Sequence, residues 1–353
     1  MARMQVDFAV PEDAAGISRL LTESTQGFAM PAFALDRADD IFRIMEVRGT
    51  GWKLIVARDT EQAGRLGAYA SVAYRPCYVN GISREVPHLL DVFFSPAYRN
   101  GMLLARSFAF VKANALQGDE YAQTQVCIDN HVALGAFTSG RGGLPTYLPY
   151  GDHAFITLPL GDVPGMGRAG SAARRIEVRR AVASDIHVLE AFHRQWGPAK
   201  QFYPLYDFAN LGSGYYRGLT IGDFFLGFRN GRLAGVAGTW DQQEFKSTHY
   251  LASPPSQADS EEVGDKPLFL HSVLTEENDP AVMAALIDGI RADFASSPYG
   301  FLALGLDAKD PLRYGLEHVP HKISLTHHFL VTFGKDPRPG LKDGLFYLDS
   351  ARC

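Results

Sequence analysis

An acidic side chain interrupts an apolar stretch in the first half of the chain. Asp91 lies within HLLDVFF, residues 88–94, which has the composition of a buried β-strand. Alternation along a strand puts Asp91 on the same face as Leu89 and Phe93. An unpaired charge there is costly, so the carboxylate needs a partner or a chemical role. A general base is one interpretation, and a carboxylate tied to a neighbouring arginine or backbone group is the other.

The same strand leads into a tight turn and then into a helix. The turn is SPAYRNG, residues 95–101, and the apolar run after it favours a helix. A helix that begins directly after a strand leaves its first backbone N–H groups unpaired, at the positive end of the helix dipole. The pattern therefore predicts a cradle for an anion such as a phosphate.

Two segments carry a family resemblance. The run DVFFSPAYRNG, residues 91–101, resembles the first signature of the Gcn5-related N-acetyltransferase (GNAT) family, a strand followed by V-x-P-x-Y-R-G and a glycine-rich turn. Phe94 replaces the usual Val. The segment DNHVALGAFTSG, residues 129–140, is similar to the second signature, N-x-x-A-x-x-x-Y-x-x-x-G-F, with Asn130 in place. Two signatures in the right order are more specific than either alone.

The resemblance implies that the first half binds an acyl-CoA, most simply acetyl-CoA, as co-substrate without a metal. The residues implied for the pantetheine arm, the phosphates and the second signature are Phe93, Phe94, Arg99, Asn100, Gly101, Met102, Leu103, Leu104, Asn130 and Phe137. Asn130 could cap a helix, bond the pantetheine arm, or do both. The glycine of the turn comes one position early and a leucine stands where a small residue is usual. A scaffold that has lost its cofactor is therefore the alternative.

The resemblance also implies catalytic roles. In the family a Glu or Asp deprotonates the amine, and a Tyr of the second signature protonates the leaving thiolate; Asp91 is the candidate base. The family's Tyr position is Phe137, which cannot donate a proton. Tyr147 and Tyr150, in the following segment LPTYLPYGDHAF, are the candidate donors. Tyrosines in such a strand-forming run also commonly serve as packing residues.

The second half repeats the organisation of the first. Its opening, VRRAVASDIHVLEAF, parallels VDFAVPEDAAGISRLL, and both halves then follow the order β-α-(α)-β-β-β-α-β-α-β. The fold class is therefore α/β (α+β). We predict two tandem GNAT-like domains, each a mixed, mostly antiparallel sheet flanked by helices, at residues 1–160 and 176–353. A linker rich in Gly, Ala and Pro joins them at residues 161–175.

The second half lacks the predicted anion cradle. At the corresponding place the chain reads TEENDPAVMA, with Glu276, Glu277 and Asp279 at a helix start. Acidic side chains there satisfy the helix dipole and repel phosphate. We therefore expect a degenerate GNAT-like domain without cofactor.

Composition excludes several other classes. Thirty-four Lys and Arg against 39 Asp and Glu give a net charge of -5, which does not suit a nucleic-acid or anionic-membrane binder. Three scattered cysteines offer neither a disulfide framework nor a thiolate zinc site. The eleven histidines show no metal-ligand spacing. No leader or apolar run long enough to span a membrane is evident, so we expect a cytoplasmic protein. A homodimer is compatible with the sequence.

The sequence is compatible with two functions. The first is an N-acyltransferase that uses acyl-CoA, and acetyl-CoA in particular, to acylate an unidentified small-molecule amine. The second is a non-catalytic tandem pseudo-acetyltransferase that binds a ligand or a partner.

Overall fold

The structure is a computed structural model, and it describes residues 4–25, 33–37, 41–98, 101–116, 118–141, 143–161, 166–167, 169–250 and 266–352. The strands are β1 (Met4–Phe8), β2 (Phe33–Arg37), β3 (Gly51–Asp59), β4 (Leu66–Val79), β5 (Ile82–Phe94), β6 (Ala122–Cys127), β7 (Thr146–Pro159), β8 (Ile176–Arg180), β9 (Phe224–Arg229), β10 (Arg232–Trp240), β11 (Lys246–Tyr250), β12 (Lys266–Thr275), β13 (Tyr299–Asp307) and β14 (Lys322–Thr332). The α-helices are α1 (Ala14–Thr25), α2 (Ile41–Arg48), α3 (Gly101–Asn114), α4 (His131–Phe137), α5 (Ile186–Trp196) and α6 (Pro280–Asp293).

Each half opens with a strand that runs into a helix through the same capped turn. In the first half the Val10 N–H donates to Asp13 Oδ2 at 2.8 Å. In the second half the Val182 N–H donates to Asp185 Oδ2, also at 2.8 Å. A carboxylate at this position satisfies a backbone donor that the helix cannot. The repeated opening in the sequence thus corresponds to a repeated local structure.

Twelve of the strands form one continuous sheet in the order β1-β3-β4-β5-β6-β14-β7-β13-β12-β10-β9-β8. Neighbouring strands are antiparallel except for β5 with β6 and β12 with β13, which are parallel. The remaining two strands, β2 and β11, pair antiparallel with each other and so connect the two halves a second time. The mixed, mostly antiparallel sheet flanked by helices agrees with the predicted fold class.

The two halves exchange a strand at the centre of this sheet. β14, from the end of the second half, lies between β6 and β7 of the first half. β7 in turn lies beside β13, so each half is completed by a strand of the other. The sequence analysis expected two separate sheets, and the antiparallel β7–β14 pair instead joins them. The division at residues 161–175 stays a prediction about the chain, because in space β14 belongs with first-half strands.

Each half also has a pair of parallel strands that separate. β5 and β6 pair only through His88 and Gln123, and then diverge. β12 and β13 pair up to Phe269 and Ala303, and then diverge likewise. Both β5 and β12 carry a bulge next to the separation, where Asp91 (φ 56°) and Ser272 (φ 57°) adopt the left-handed conformation. The separation between β5 and β6 is called the first cleft below, and the one between β12 and β13 the second cleft.

Helices cover both faces of the first-half sheet. On one face Phe108 and Val111 of α3 pack against Leu89 and Phe329 of the sheet. On the other face α1 and α2 pack with side chains of the second half, including Tyr215 and Trp240. The residues around the first cleft are therefore positioned by both halves of the chain.

Candidate active site

Polar side chains surround the apex of the first cleft, the place where β5 and β6 begin to separate in the middle of the sheet. Below the His88–Gln123 pair, the Thr124 hydroxyl donates to Leu89 O at 2.9 Å and holds the two strands together. His88 is buried, and Arg75 Nη1 lies 2.9 Å from its Nδ1. Since an arginine only donates, the neutral ring carries its proton on Nε2. Burial, with Arg75 as the next cause, holds the pKa of His88 well below its ordinary value.

Asp91 lies at the bulge where β5 begins to part from β6. Its carboxylate forms an ion pair with Arg48, the last residue of α2, and Ser71 Oγ donates to Oδ2 at 3.4 Å. The Asp91 side chain is 11% exposed and that of Arg48 is 3% exposed. Of the two roles that the sequence analysis left open for Asp91, the structure shows the carboxylate tied to an arginine, and the Asp91 side chain is not fully buried.

The bulge also changes the face on which Asp91 lies. Strict alternation predicted that it shares a face with Leu89 and Phe93. In the structure Leu89 packs on the α3 side, whereas Asp91 points to Arg48 on the α2 side, together with Phe93. The shared face with Phe93 is as predicted, but the shared face with Leu89 is wrong, because the extra residue at the bulge shifts the alternation between Leu89 and Asp91.

Phe93 and Phe94 lie on opposite faces beyond the bulge. Phe93 packs against the cluster that includes α1 and α2. Phe94 packs against the cluster of Met4, Ala68 and Leu103. Next to Phe94, a small apolar cavity of about 20 Å³ separates β5 from α3. The two rings thus lie on opposite faces near the end of β5, and their lining of a pantetheine arm stays a prediction.

The predicted phosphate turn is held by Tyr98. Its hydroxyl donates to Asp59 Oδ2 at 2.5 Å, and the same carboxylate accepts the Glu61 N–H at 2.9 Å through Oδ1. The next two residues, Arg99 and Asn100, lie outside the described residues. The tyrosine of the first signature therefore fixes the turn from which α3 begins.

The first turn of α3 shows a division between core and surface. The helix begins at Gly101. Met102 is 66% exposed, whereas Leu103 is buried against Tyr98 and the neighbouring strands. Leu104 packs at the edge of the cluster that includes Phe108. Both leucines thus serve in packing, and Met102 is the side chain that the first turn presents to solvent.

The second signature has a structural role in this chain. Asn130 caps α4, since its Oδ1 accepts the Ala133 N–H at 3.1 Å, as expected for one of the two roles considered. Phe137, at the end of α4, stacks on Tyr147 with 4.9 Å between ring centroids and an interplanar angle of 4°. The aromatic position of the signature is therefore part of the core.

Tyr147 and Tyr150 both occupy packing positions on β7, which β14 separates from β6. Tyr147 is buried in an aromatic cluster with Phe137 and Phe108, and burial raises the pKa of its hydroxyl. Tyr150 packs against Phe202 on the opposite face, and burial raises its pKa to about 12. The packing role that the sequence analysis left open is the one these contacts describe.

Sequence reasoning missed two polar groups of the first cleft. Arg48 ends α2 and lies 43 positions before Asp91, so no local pattern connects them. Gln125 lies two residues after the His88–Gln123 pair on β6, where β5 and β6 are no longer paired. Its Nε2 is buried and has no hydrogen-bond partner within the described chain. The alternating glutamines in AQTQVC, unusual for a central strand, were a usable signal.

The second cleft is filled by the protein's own side chains. The Val273 N–H, next to the Ser272 bulge, donates to the Tyr347 hydroxyl at 3.3 Å. Ser272 Oγ lies 3.2 Å from His193 Nε2, and all these groups are buried. At the start of α6, Asp279 accepts the Ala281 N–H at 2.8 Å.

The amino end of α6 therefore already holds an anion. Asp279 also pairs with Arg229. Burial by itself would raise the pKa of this carboxyl, but the hydrogen bonds from Arg229 and the helix amides outweigh it and lower the pKa. A carboxylate of the chain itself thus occupies the start of α6, and a second half without cofactor stays a prediction.

Comparison with solved structures identifies the architecture. The chain aligns over 94% of its length with a GCN5-related glucosamine N-acetyltransferase region of a fungal multi-domain GH3 β-N-acetylglucosaminidase, with TM-score 0.64 and 14% identity, and spans 38% of that longer chain. It aligns over 96% with Saccharomyces cerevisiae N-myristoyltransferase bound to myristoyl-CoA (TM-score 0.59, 12% identity, 84% of that chain). A GCN5-related N-acetyltransferase from Sphaerobacter thermophilus aligns over 94% (TM-score 0.54, 16% identity, 97% of that chain). The chain has the GNAT fold.

Sequence comparison adds no closer assignment. No protein-family model and no curated protein sequence matches the chain. Within the described ranges, no helix has the length and apolar character needed to cross a bilayer.

Proposed function

We propose that the chain is an N-acyltransferase that transfers an acyl group, acetyl in the first instance, from acyl-CoA to a small-molecule amine. The observation that carries this proposal is the first cleft. It combines diverging parallel strands, a bulge bearing a partly accessible carboxylate, and a strand-to-helix turn at the start of α3. The second cleft has the same backbone, but its own side chains fill it.

The chemistry assigned to the cleft is a single acyl transfer. The amine nitrogen attacks the thioester carbonyl carbon, a C–N bond forms, the C–S bond breaks, and the nitrogen loses one proton while the thiolate gains one. Asp91, held by Arg48, accepts a hydrogen bond from the amine and so orients it for attack. Gln125 Nε2, which is buried and has no hydrogen-bond partner within the described chain, is the side-chain donor that β6 offers to the acyl donor. An amine that is already neutral needs no stronger base.

The amine itself is a small molecule in this proposal. One structural neighbour is described as a glucosamine N-acetyltransferase region, so glucosamine belongs in a first panel of acceptors together with simple polyamines and amino acids. The low identity means that this neighbour guides the choice of probe only.

A non-catalytic binding module is the second candidate. Two observations favour it: Phe137 occupies the place where the family has its tyrosine, and Asp91 is engaged by Arg48. This candidate keeps acyl-CoA binding and gives up turnover, so binding and turnover must be measured separately.

Calorimetry with acetyl-CoA tests binding. A Kd near 1 μM corresponds to about -8 kcal/mol, and we expect one site per chain because the cradle is predicted for the first half, while Asp279 occupies the start of α6. Met102→Glu places a carboxylate at the exposed second position of α3 and should weaken binding about 10-fold by repelling the phosphates. Ala281→Glu, at the second position of α6, is the matched control and should change nothing.

Release of free thiol from acetyl-CoA in the presence of the amine panel tests turnover. Amine-dependent release supports the transferase. Binding without release supports the binding module, and release without any amine indicates thioester hydrolysis. No heat with any acyl-CoA tried would overturn both candidates.

A further inference from the structure

The carboxyl end of α2 is held by two buried arginines. The last carbonyls of a helix have no partners within the helix. Here Arg352 Nη1 donates to Val47 O at 2.6 Å, and Arg75 Nε donates to Arg48 O at 2.9 Å. Positive groups at this end also complement the helix dipole. The last turn of α2 is thus fixed from outside the helix.

Arg352 is itself held rigidly by the second half. Its Nη1 also donates to Tyr215 O at 2.7 Å, and its guanidinium carbon lies 3.6 Å from the centroid of the Tyr215 ring and 4.6 Å from that of Trp240. Asp349 Oδ2 lies 3.3 Å from its Nε, and the side chain is 1% exposed. The planar guanidinium therefore has one orientation, and it transmits the position of the second half to α2.

A continuous set of contacts leads from Arg352 to the first cleft. Arg75 donates to the backbone oxygen of Arg352 as well as to that of Arg48, and its third group contacts His88 at the apex of the cleft. Arg48, the residue whose carbonyl is held, forms the ion pair with Asp91. A shift of the last turn of α2 would therefore move the partner of Asp91.

We propose that Arg352 is a positioning residue for the first-half site. By fixing the last turn of α2 it sets the orientation of the Arg48–Asp91 pair, which contacts the amine. This inference rests on the proposed function. It assigns a specific role to the second half, which holds the carboxylate of the first half in place. A displacement of about 1 Å at such a pair can cost about 100-fold in rate.

Arg352→Lys is the variant that tests this role. Both carbonyls are held by one nitrogen, Nη1, whose place is set by the planar guanidinium stacked on Tyr215 and Trp240. Lysine keeps the charge but has no planar group to stack, so its ammonium is not held at that place. We expect kcat for the amine that supports thiol release to fall about 10- to 100-fold, with the acetyl-CoA Kd within about 2-fold of wild type, because α3 is untouched.

Arg291→Lys is the matched control. Arg291 of α6 is also buried and also joins the two halves, since it donates from Nε to Pro159 O at 3.0 Å and from Nη2 to Gly161 O at 2.9 Å. Its hydrogen bonds go to the end of β7 and the segment after it, and its helix packs against β8, β9 and β10. A comparable loss of stability with kcat within about 2-fold of wild type is expected for this control.

A double-mutant cycle separates positioning from general destabilisation. In an Asp91→Asn background, Arg352→Lys should lower kcat by no more than about 2-fold further, because the group that Arg352 orients is already gone. If the fold-losses in kcat of Arg352→Lys and Asp91→Asn multiply in the double variant, the positioning role is overturned, whereas the proposed transferase function is not affected. If Arg352→Lys does not fold, Trp240→Phe weakens the stacking of Arg352 and should lower kcat about 2- to 5-fold in the same non-additive way. A wild-type protein without acyl transfer overturns the proposed function, and this inference with it.

Discussion

Five buried histidines predict that the fold loses stability in mild acid. Burial lowers the pKa of His153 to about 4 and that of His193, His271 and His328 to about 3, and the pKa of His88 is lowered as well. In the unfolded chain each imidazole titrates near 6.5. Below that pH the unfolded state binds protons that the folded state does not, so the free energy of unfolding falls as the pH falls from about 6.5 to about 4.

The magnitude is large for a single chain. Between pH 7.5 and pH 5.5 each such histidine lowers the free energy of unfolding by about 1.4 kcal/mol, so five together lower it by about 7 kcal/mol. The total stability of a typical domain is about 5–15 kcal/mol. Most carboxylates titrate below this range. Burial raises the pKa of Asp307 and Asp119, so these two groups act against the loss. The expected loss between pH 7.5 and pH 5.5 is therefore comparable to the whole free energy of unfolding of a typical domain.

Urea denaturation followed by tryptophan fluorescence at the two pH values measures the difference. His328→Phe isolates one contribution. The His328 ring packs against Tyr150, Phe202 and Phe346, and neither of its nitrogens has a hydrogen-bond partner in the described chain. The variant should lose about 1.4 kcal/mol less than wild type on acidification.

His131→Phe is the control for this experiment, because His131 is exposed on α4 and so has similar surroundings in both states. It should retain the full pH dependence. A stability that stays constant within about 1 kcal/mol from pH 7.5 to pH 5.5 would refute the reasoning, since it would mean that the histidines are accessible or already charged in the fold.

Three further predictions concern packing and assembly. Tyr147→Phe should leave kcat within about 2-fold, since the ring serves the core; a loss of about 100-fold or more would instead identify the hydroxyl as the proton donor. Lys200→Met should cost about 3–5 kcal/mol in urea unfolding, because Lys200 Nζ lies 2.5 Å from Asp310 Oδ2 and both side chains are at most 1% exposed; a cost below about 1 kcal/mol would show that water reaches the pair. A fragment of residues 1–160 should not give a cooperative thermal transition by circular dichroism, because it lacks β14; a sharp transition would contradict the role of strand exchange.

The sequence predicted the features that depend on local patterns. Alternating apolar residues located the strands, the Asp13 and Asp185 turns began the helices, and the strand-to-helix turn at residues 95–101 led to the GNAT resemblance. The acidic start of α6 was likewise recognisable, because Asp279 and Pro280 are common first-turn residues.

Features that depend on distant contacts or on one unusual dihedral angle could not be predicted. Asp91 adopts a positive φ, although it is not glycine and no glycine follows it. The segment HLLDVFF therefore contains no signal for the bulge that places Asp91 on the α2 side of the sheet. Its partner Arg48 belongs to a helix that packs against both halves. The place of β14 between β6 and β7 is decided by pairing across more than 160 residues, for which single-sequence patterns carry no information.

The exchange of strands at the centre of the sheet has a consequence for synthesis on the ribosome. β6 and β7 emerge early, but the strand that belongs between them is encoded about 170 residues later. At about 5–20 residues per second, this interval lasts roughly 10–35 s. During that time the nascent first half has a gap in its sheet with unpaired backbone groups on both sides, which is the kind of edge that other polypeptides can join. Translation speed and chaperone supply, as much as the final contacts, should therefore govern the yield of this protein.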